Sequence, residues 1–117
     1  MPQITVDRSW SVTLDRAAFA AELHPLVAGV IDGSVAECKT RFRRIEECFV
    51  GDGDASRAMV YLEIKIMAGR SAEVRTELTE RVLELLQRQV GHAEGGELHL
   101  AVNVVELDGR FYRRAVA

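Results

Sequence analysis

Pro2 is the residue of this chain with the most specific chemistry, provided that Met1 is removed. A proline at the amino terminus is a secondary amine, and an α-amino group has a reference pKa of roughly 7.7–8.0, against roughly 10.4 for lysine. Burial and nearby cations would lower that pKa further. A nitrogen of this kind can accept a proton near pH 7 and return it, as general acid–base catalysis requires. If Met1 is retained, the same nitrogen is an amide without basicity.

Histidine and cysteine, which often carry chemistry, show no spacing typical of a site. The three histidines (His24, His92 and His99) have no ligand pattern, so we expect no metal. Cys38 and Cys48 lie on one predicted strand and would be roughly 33 Å apart if that strand ran straight. This separation argues against a mutual disulfide and predicts buried or half-buried free thiols in a reducing cytoplasm.

The composition predicts a single globular domain. The 117 residues are 48% hydrophobic and 28% charged, which is enough for one core and too short for two domains. The formal charge of −3 argues against general binding of nucleic acid or membrane surfaces, in spite of basic residues within 34–47 and 111–114. No run of 18 apolar residues could span a bilayer, and the amino terminus lacks a signal-peptide pattern. We therefore expect a cytoplasmic protein.

The first half of the chain predicts a strand, a helix and a second strand. Alternation and β-branched residues predict a strand over 2–6, in which Pro2 is a legal first residue. Apolar residues at helical spacing predict a helix over 15–31, which Pro25 should kink or interrupt. A long strand is expected to follow, from about Glu37 to Phe49.

The second half repeats this order. The segment "MVYLEIKIM" (59–67) alternates, which predicts a strand with apolar residues on one face. Ser71 is a suitable N-cap for a helix with apolar residues at helical spacing, which ends near Gly91. The segment 98–107 predicts the last strand.

Two β-α-β halves, about 2–50 and 57–107, predict one α/β domain. The expected architecture is an α+β two-layer sandwich, in which a four-stranded sheet carries both helices on one face. Tyr61, Glu63 and Lys65 lie among apolar residues on the other face of the sheet. A mixed face of this kind is often covered by another subunit, so we expect an oligomer.

Pro2, the two halves and the segment "LEIKIMAGRS" (62–71) together resemble the tautomerase superfamily, and within it the 5-carboxymethyl-2-hydroxymuconate Δ-isomerase family. The resemblance runs from Pro2 to about Val90 and has no gaps from Cys38 to Ser71. It implies a homotrimer with an active site at each subunit boundary, no cofactor and no metal. It also implies a small-molecule carboxylate as the substrate.

The resemblance implies a role for four residues. The family's amino-terminal proline moves a proton on an unsaturated 2-hydroxy or 2-oxo acid, which makes Pro2 the catalytic base. Arg41 and Arg70 match the two arginines that bind substrate carboxylates. Arginine also stabilises the negative charge that develops on a dienolate oxygen. Lys39 stands where the family tends to have an arginine, and it keeps the charge but loses the planar fork.

Two other functions stay open from the sequence. With Met1 retained, the chain would be a non-catalytic trimeric binding or structural protein on the same scaffold. Related superfamily members use the same proline for hydration, dehalogenation or decarboxylation. The sequence shows no acid clearly placed to activate water, although Glu37, Glu46 and Glu63 stay open as candidates.

Overall fold

The computed structural model describes residues 1–92 and 95–117, which form two α-helices and six strands. In chain order these are β1 (Gln3–Ser9), β2 (Val12–Thr13), α1 (Arg16–Ile31), β3 (Lys39–Ile45), β4 (Ala58–Met67), α2 (Ala72–Gln89), β5 (Gly91–His92) and β6 (Leu98–Leu107). Short 3-10 turns, Val35–Glu37 and Gly109–Phe111, precede β3 and follow β6. Neither of these α-helices is long and apolar enough to cross a membrane.

Four strands form the main sheet in the order β3-β1-β4-β6. β1 is parallel to β3 and antiparallel to β4, and β4 is parallel to β6. Each parallel pair is joined through a helix, and the two helices pack against each other and share one core with the sheet. The predicted four-stranded, two-layer fold is therefore confirmed. A second sheet of two short strands, β2 and β5, was not predicted.

Alternation along the strands separates the two faces of the sheet, as the sequence predicts. The helix side holds the buried residues Ile4, Val6, Val60, Leu62, Ile64 and Ile66 of the two central strands. The helices add Phe19, Leu23, Val27, Leu78, Val82, Leu85 and Leu86 to this core. The opposite side, which we call the open face, carries Lys39, Arg41, Arg43, Gln3, Thr5, Asp7, Tyr61, Glu63, Lys65, Ala101, Asn103 and Val105.

The two predicted strands of the first half have bounds that differ from the prediction. β1 continues past residue 6, because its pairing with β3 extends to Ser9. The predicted strand from Glu37 to Phe49 is wrong at both ends, since β3 covers only Lys39–Ile45. A 3-10 turn capped by the Ser34 hydroxyl precedes it. β3 is an edge strand, so it ends where its one partner, β1, ends.

Pro25 does not interrupt α1, so of the predicted kink or interruption the second is wrong. The helix is continuous over Arg16–Ile31, and the Asp15 carboxylate caps it by accepting from the Ala18 N–H at 3.1 Å. Proline removes one donor, that to the Ala21 carbonyl four residues earlier. Pro25 and Ala21 are both exposed, so water can satisfy this carbonyl.

Candidate active site

The pairing of β1 with β3 fixes the amino terminus at one end of the sheet. The Lys39 N–H donates to the Pro2 carbonyl at 3.1 Å, and Gln3 lies opposite Lys39 in the parallel register. Pro2 is buried. The Met1 ammonium donates to the Glu37 carbonyl oxygen at 3.0 Å and to its Oε2 at 3.2 Å. The terminal nitrogen therefore lies beside the turn that precedes β3.

Lys39 and Arg41 lie on the open face next to the amino terminus. Arg41 Nη2 donates to Gln3 Oε1 at 2.9 Å, and Lys39 Nζ donates to the Glu37 carbonyl at 3.3 Å. Both side chains are exposed. Neither forms a salt bridge within residues 1–92 and 95–117. Their charges are therefore available to an anion at this end of the sheet.

Arg70 lies at the same end of the sheet but reaches toward the helix layer. Its Nη1 donates to the Met67 carbonyl at 3.3 Å, and its Nη2 donates to the Ile31 carbonyl at 3.2 Å. Ile31 is the last residue of α1, where carbonyls lack helical donors. Arg70 thus ties the turn before α2 to the end of α1. In the described part of the chain it shares no hydrogen-bond partner with Lys39 or Arg41, and it lies on the helix side while they lie on the open face.

The carboxy-terminal tail crosses to the amino terminus, which the sequence did not predict. Tyr112 Oη accepts a hydrogen bond from Gln3 Nε2 at 3.1 Å. Arg114 Nη2 donates to Glu37 Oε1 at 3.0 Å, while the Met1 ammonium pairs with the other oxygen of that carboxylate. The hydrogen bond from the amino terminus is the main cause of a lowered pKa at Glu37, with Arg114 adding to it. The carboxylate is therefore ionised at neutral pH.

A cavity lies at the other end of the sheet. It has a volume of about 710 Å³ and is lined by parts of 9–11, 46–48 and 53–57. Its buried hydroxyls already have partners within the fold: Ser9 Oγ accepts from the Met59 N–H at 2.9 Å, and Ser11 Oγ is 3.0 Å from His92 Nε2. Arg57 in that lining is paired with Asp52 and Glu97, whereas Lys39 and Arg41 at the amino terminus have no carboxylate partner within the described ranges, so we place the candidate site at the amino terminus.

His24 and the two cysteines make contacts within the fold. His24 Nε2 lies 2.7 Å from Thr40 Oγ1, and burial lowers the pKa of His24. Cys38 is buried, Cys48 is half-buried, and both are free thiols, as predicted. Within the described ranges, no group of three or more His, Cys, Asp or Glu residues could hold a metal ion.

Comparisons with known proteins show related sequences and folds. Residues 15–115 match the family described as 5-carboxymethyl-2-hydroxymuconate isomerase. This range contains Lys39, Arg41 and Arg70 but not Pro2. No curated protein matched the sequence significantly.

Three solved structures illustrate the similarity of fold. A 5-carboxymethyl-2-hydroxymuconate isomerase from Deinococcus radiodurans R1 is 20% identical, with 99% of this chain and 90% of that chain covered and a TM-score of 0.85. A macrophage migration inhibitory factor-like protein from Entamoeba histolytica is 20% identical, with coverages of 99% and 96% and a TM-score of 0.70. A protein described as a Q0 fused 4-OT wild type symmetric trimer is 16% identical, with coverages of 97% and 91% and a TM-score of 0.78. At these identities, the structures show a shared fold.

The contacts of Arg70 predict a cost in stability that Arg41 does not share. Arg70→Ala leaves the Ile31 and Met67 carbonyls without their donor, so we expect the free energy of unfolding to fall by about 1–2 kcal/mol. Arg41→Ala, on the exposed face, should change it by less than about 0.5 kcal/mol. Urea unfolding at one protein concentration measures both. Equal stabilities of the two variants would mean that the Arg70 hydrogen bonds do not hold the end of α1.

Proposed function

Because the chain belongs to the 5-carboxymethyl-2-hydroxymuconate isomerase family, we propose that it is a cofactor-independent isomerase, or tautomerase. Its substrate is an unsaturated 2-hydroxy or 2-oxo acid with two or three carboxylates, such as 5-carboxymethyl-2-hydroxymuconate, from the catabolism of aromatic compounds. The observation that carries this proposal is the placement of the buried Pro2 beside two cations, Lys39 and Arg41, that have no carboxylate partner among the described residues.

The base in this proposal is the Pro2 amine of the Met1-free chain. Its nitrogen takes a proton from the substrate, and the electron pair passes into the conjugated dienolate. The proton then returns at another carbon of the dienolate, so the reaction needs no net source of protons or electrons. Burial disfavours the charged amine and thus favours the neutral form that acts as a base. The pairing of Pro2 with β3 holds the nitrogen in place.

The cations bind the substrate carboxylates and stabilise the dienolate. Arg41 and Lys39 lie on the open face beside the amino terminus, where they can attract an anion. Two N–H groups of Arg70 are hydrogen-bonded to carbonyls of its own chain, and the side chain lies on the helix side of the sheet. A boundary between subunits would bring an Arg70 and an Arg41 from different chains to one substrate. We therefore propose a homotrimer whose subunit boundary completes each site.

A non-catalytic binding protein on the same scaffold is the second candidate. It is favoured by the two hydrogen bonds that the Met1 ammonium makes with Glu37. If Met1 is retained in the functional protein, these bonds anchor the terminus and Pro2 is an amide. The intact mass of the purified protein separates the two candidates, because the isomerase requires the loss of Met1.

The role of Pro2 predicts a difference between processed and unprocessed protein. Met1-free protein, identified by intact mass, should isomerise 2-hydroxymuconate at a rate that ultraviolet absorbance can follow. Protein that retains Met1 should be slower by about 10²–10⁴-fold, since it lacks the general base. Pro2→Ala should be impaired but active, because it leaves a primary amine at the same place. Equal rates with and without Met1 would exclude Pro2 as the base.

The role of the arginines predicts a loss of transition-state stabilisation. Arg41→Ala and Arg70→Ala should each lower kcat/KM by about 10²-fold or more, with native circular dichroism. Arg43→Ala is the matched control, because Arg43 lies on the same face but is paired with Asp7 at 2.6 Å. It should keep its activity. Full activity in both the Arg41 and Arg70 variants would show that the site is placed wrongly.

The proposed assembly predicts a trimer in solution. Sedimentation equilibrium of the Met1-free protein at micromolar concentration should give three times the chain mass of 13.0 kDa. A homotrimer would cover the mixed open face and bring Arg41 of one chain close to Arg70 of another. A monomer at that concentration would remove the proposed site between subunits.

A further inference from the structure

We propose that Glu37 is the positioning residue for the Pro2 amine in the Met1-free chain, and that Arg114 of the carboxy-terminal tail offsets part of the Glu37 charge. The inference rests on the proposed function, because it concerns the base of that reaction. It adds an acidic group to the site and gives the carboxy-terminal tail a role. The proposed binding of substrate by the cations involves neither of them.

The Glu37 carboxylate joins the amino terminus to the tail. Its Oε2 lies 3.2 Å from the Met1 ammonium, and its Oε1 lies 3.0 Å from Arg114 Nη2. The main-chain carbonyl of Glu37 accepts from the same ammonium at 3.0 Å. The terminal nitrogen is thus bound twice by one residue, and the second oxygen of the carboxylate is oriented by a cation from the other end of the chain.

Removal of Met1 moves the terminal nitrogen by one residue and leaves it close to Glu37. Consecutive Cα atoms are about 3.8 Å apart, so the new nitrogen of Pro2 begins within a short distance of the old one. The parallel register of β1 and β3 places Pro2 next to the 37–39 segment, to which its carbonyl is already bonded. The Glu37 side chain is 36% exposed and can rotate to follow the nitrogen.

The charges around Glu37 determine its effect on the amine. Glu37 faces the terminal ammonium, Arg114 and Lys39, and all three lower the pKa of its carboxyl group. Arg41 and Lys65 lie nearby on the open face, next to Gln3 in the sheet. Glu37 is therefore ionised while the amine titrates, and its negative charge stabilises the protonated amine. Burial and the nearby cations favour the neutral amine instead. Glu37 and Arg114 together therefore adjust the pKa of the Pro2 amine.

The carboxy-terminal tail is held beside Glu37, where the charge of Arg114 acts on the carboxylate. Beyond the 3-10 turn that ends at Phe111, the tail has no regular secondary structure. It is nevertheless tied to β1 by the hydrogen bond between Tyr112 and Gln3, two residues before Arg114. This bond fixes the path of the tail over the amino terminus and delivers the Arg114 guanidinium to the carboxylate.

A titration of the Pro2 nitrogen tests the proposal without any substrate. The chain has two prolines, and Pro25 is a tertiary amide that does not titrate, so ¹⁵N-proline labelling of Met1-free protein isolates the Pro2 amine in NMR. Glu37→Gln should lower the midpoint of the Pro2 titration by about one pH unit, because the protonated amine loses its partner. Arg114→Ala should raise the midpoint by about a few tenths of a unit, because the Glu37 charge is no longer offset.

The matched controls are Glu77→Gln and Arg81→Ala. They remove the same two charges from a salt bridge of 3.2 Å on α2 and should leave the midpoint unchanged. An unchanged midpoint in Glu37→Gln, or shifts of the same sign in the Glu37 and Arg114 variants, would overturn the proposal. If Pro2 is the base, the acid limb of kcat/KM moves with the NMR midpoint. If the NMR midpoint shifts but the acid limb of kcat/KM does not, the proposed function fails while the role of Glu37 stands.

Discussion

The packing of Phe42 against Phe19 is the constraint on which the candidate site depends. The two rings meet edge-on at 6.4 Å between β3 and α1. This contact fixes which face of β3 packs against the helices. A register shift of one residue would turn Phe42 to the open face. The same register places Lys39 opposite Gln3, with its N–H on the Pro2 carbonyl. A core contact thus determines which charged groups surround the amino terminus.

The polar groups of the open face are largely paired with one another away from that terminus. Arg43 binds Asp7, and Tyr61 accepts a hydrogen bond from Asn103 at 3.2 Å. Large apolar side chains are exposed elsewhere, with Phe49 at 77% and Phe111 at 80%. Such side chains are candidates for burial by a neighbouring subunit. The contrast between paired polar groups and uncovered aromatic groups fits a chain that works as part of an assembly.

Local patterns made β4, α2 and β6 predictable, and non-local contacts limited the rest. The alternation of β4 and the Ser71 cap are signals within a few residues, and both lie where the sequence predicted them. The bounds of β3 depend on where β1 ends, which no local pattern encodes. The hydrogen bond between Arg114 and Glu37 joins residues 77 positions apart, and that between Gln3 and Tyr112 joins residues 109 apart. Lys39, Arg41 and Arg70 are predicted as site residues only through the family resemblance. That resemblance gives no information on the carbonyl contacts of Arg70.

Covalent labelling of the terminal nitrogen tests the central claim most directly. 2-Oxo-3-pentynoate is a carboxylate with an electrophilic alkyne, to which a neutral amine adds by conjugate addition. If Pro2 is the base, Met1-free protein gains one adduct per chain, located by peptide mass spectrometry on Pro2, and protein retaining Met1 gains none there. An adduct on Cys48 or a lysine with Pro2 unmodified, or equal labelling of both forms, would show that Pro2 is not the reactive amine.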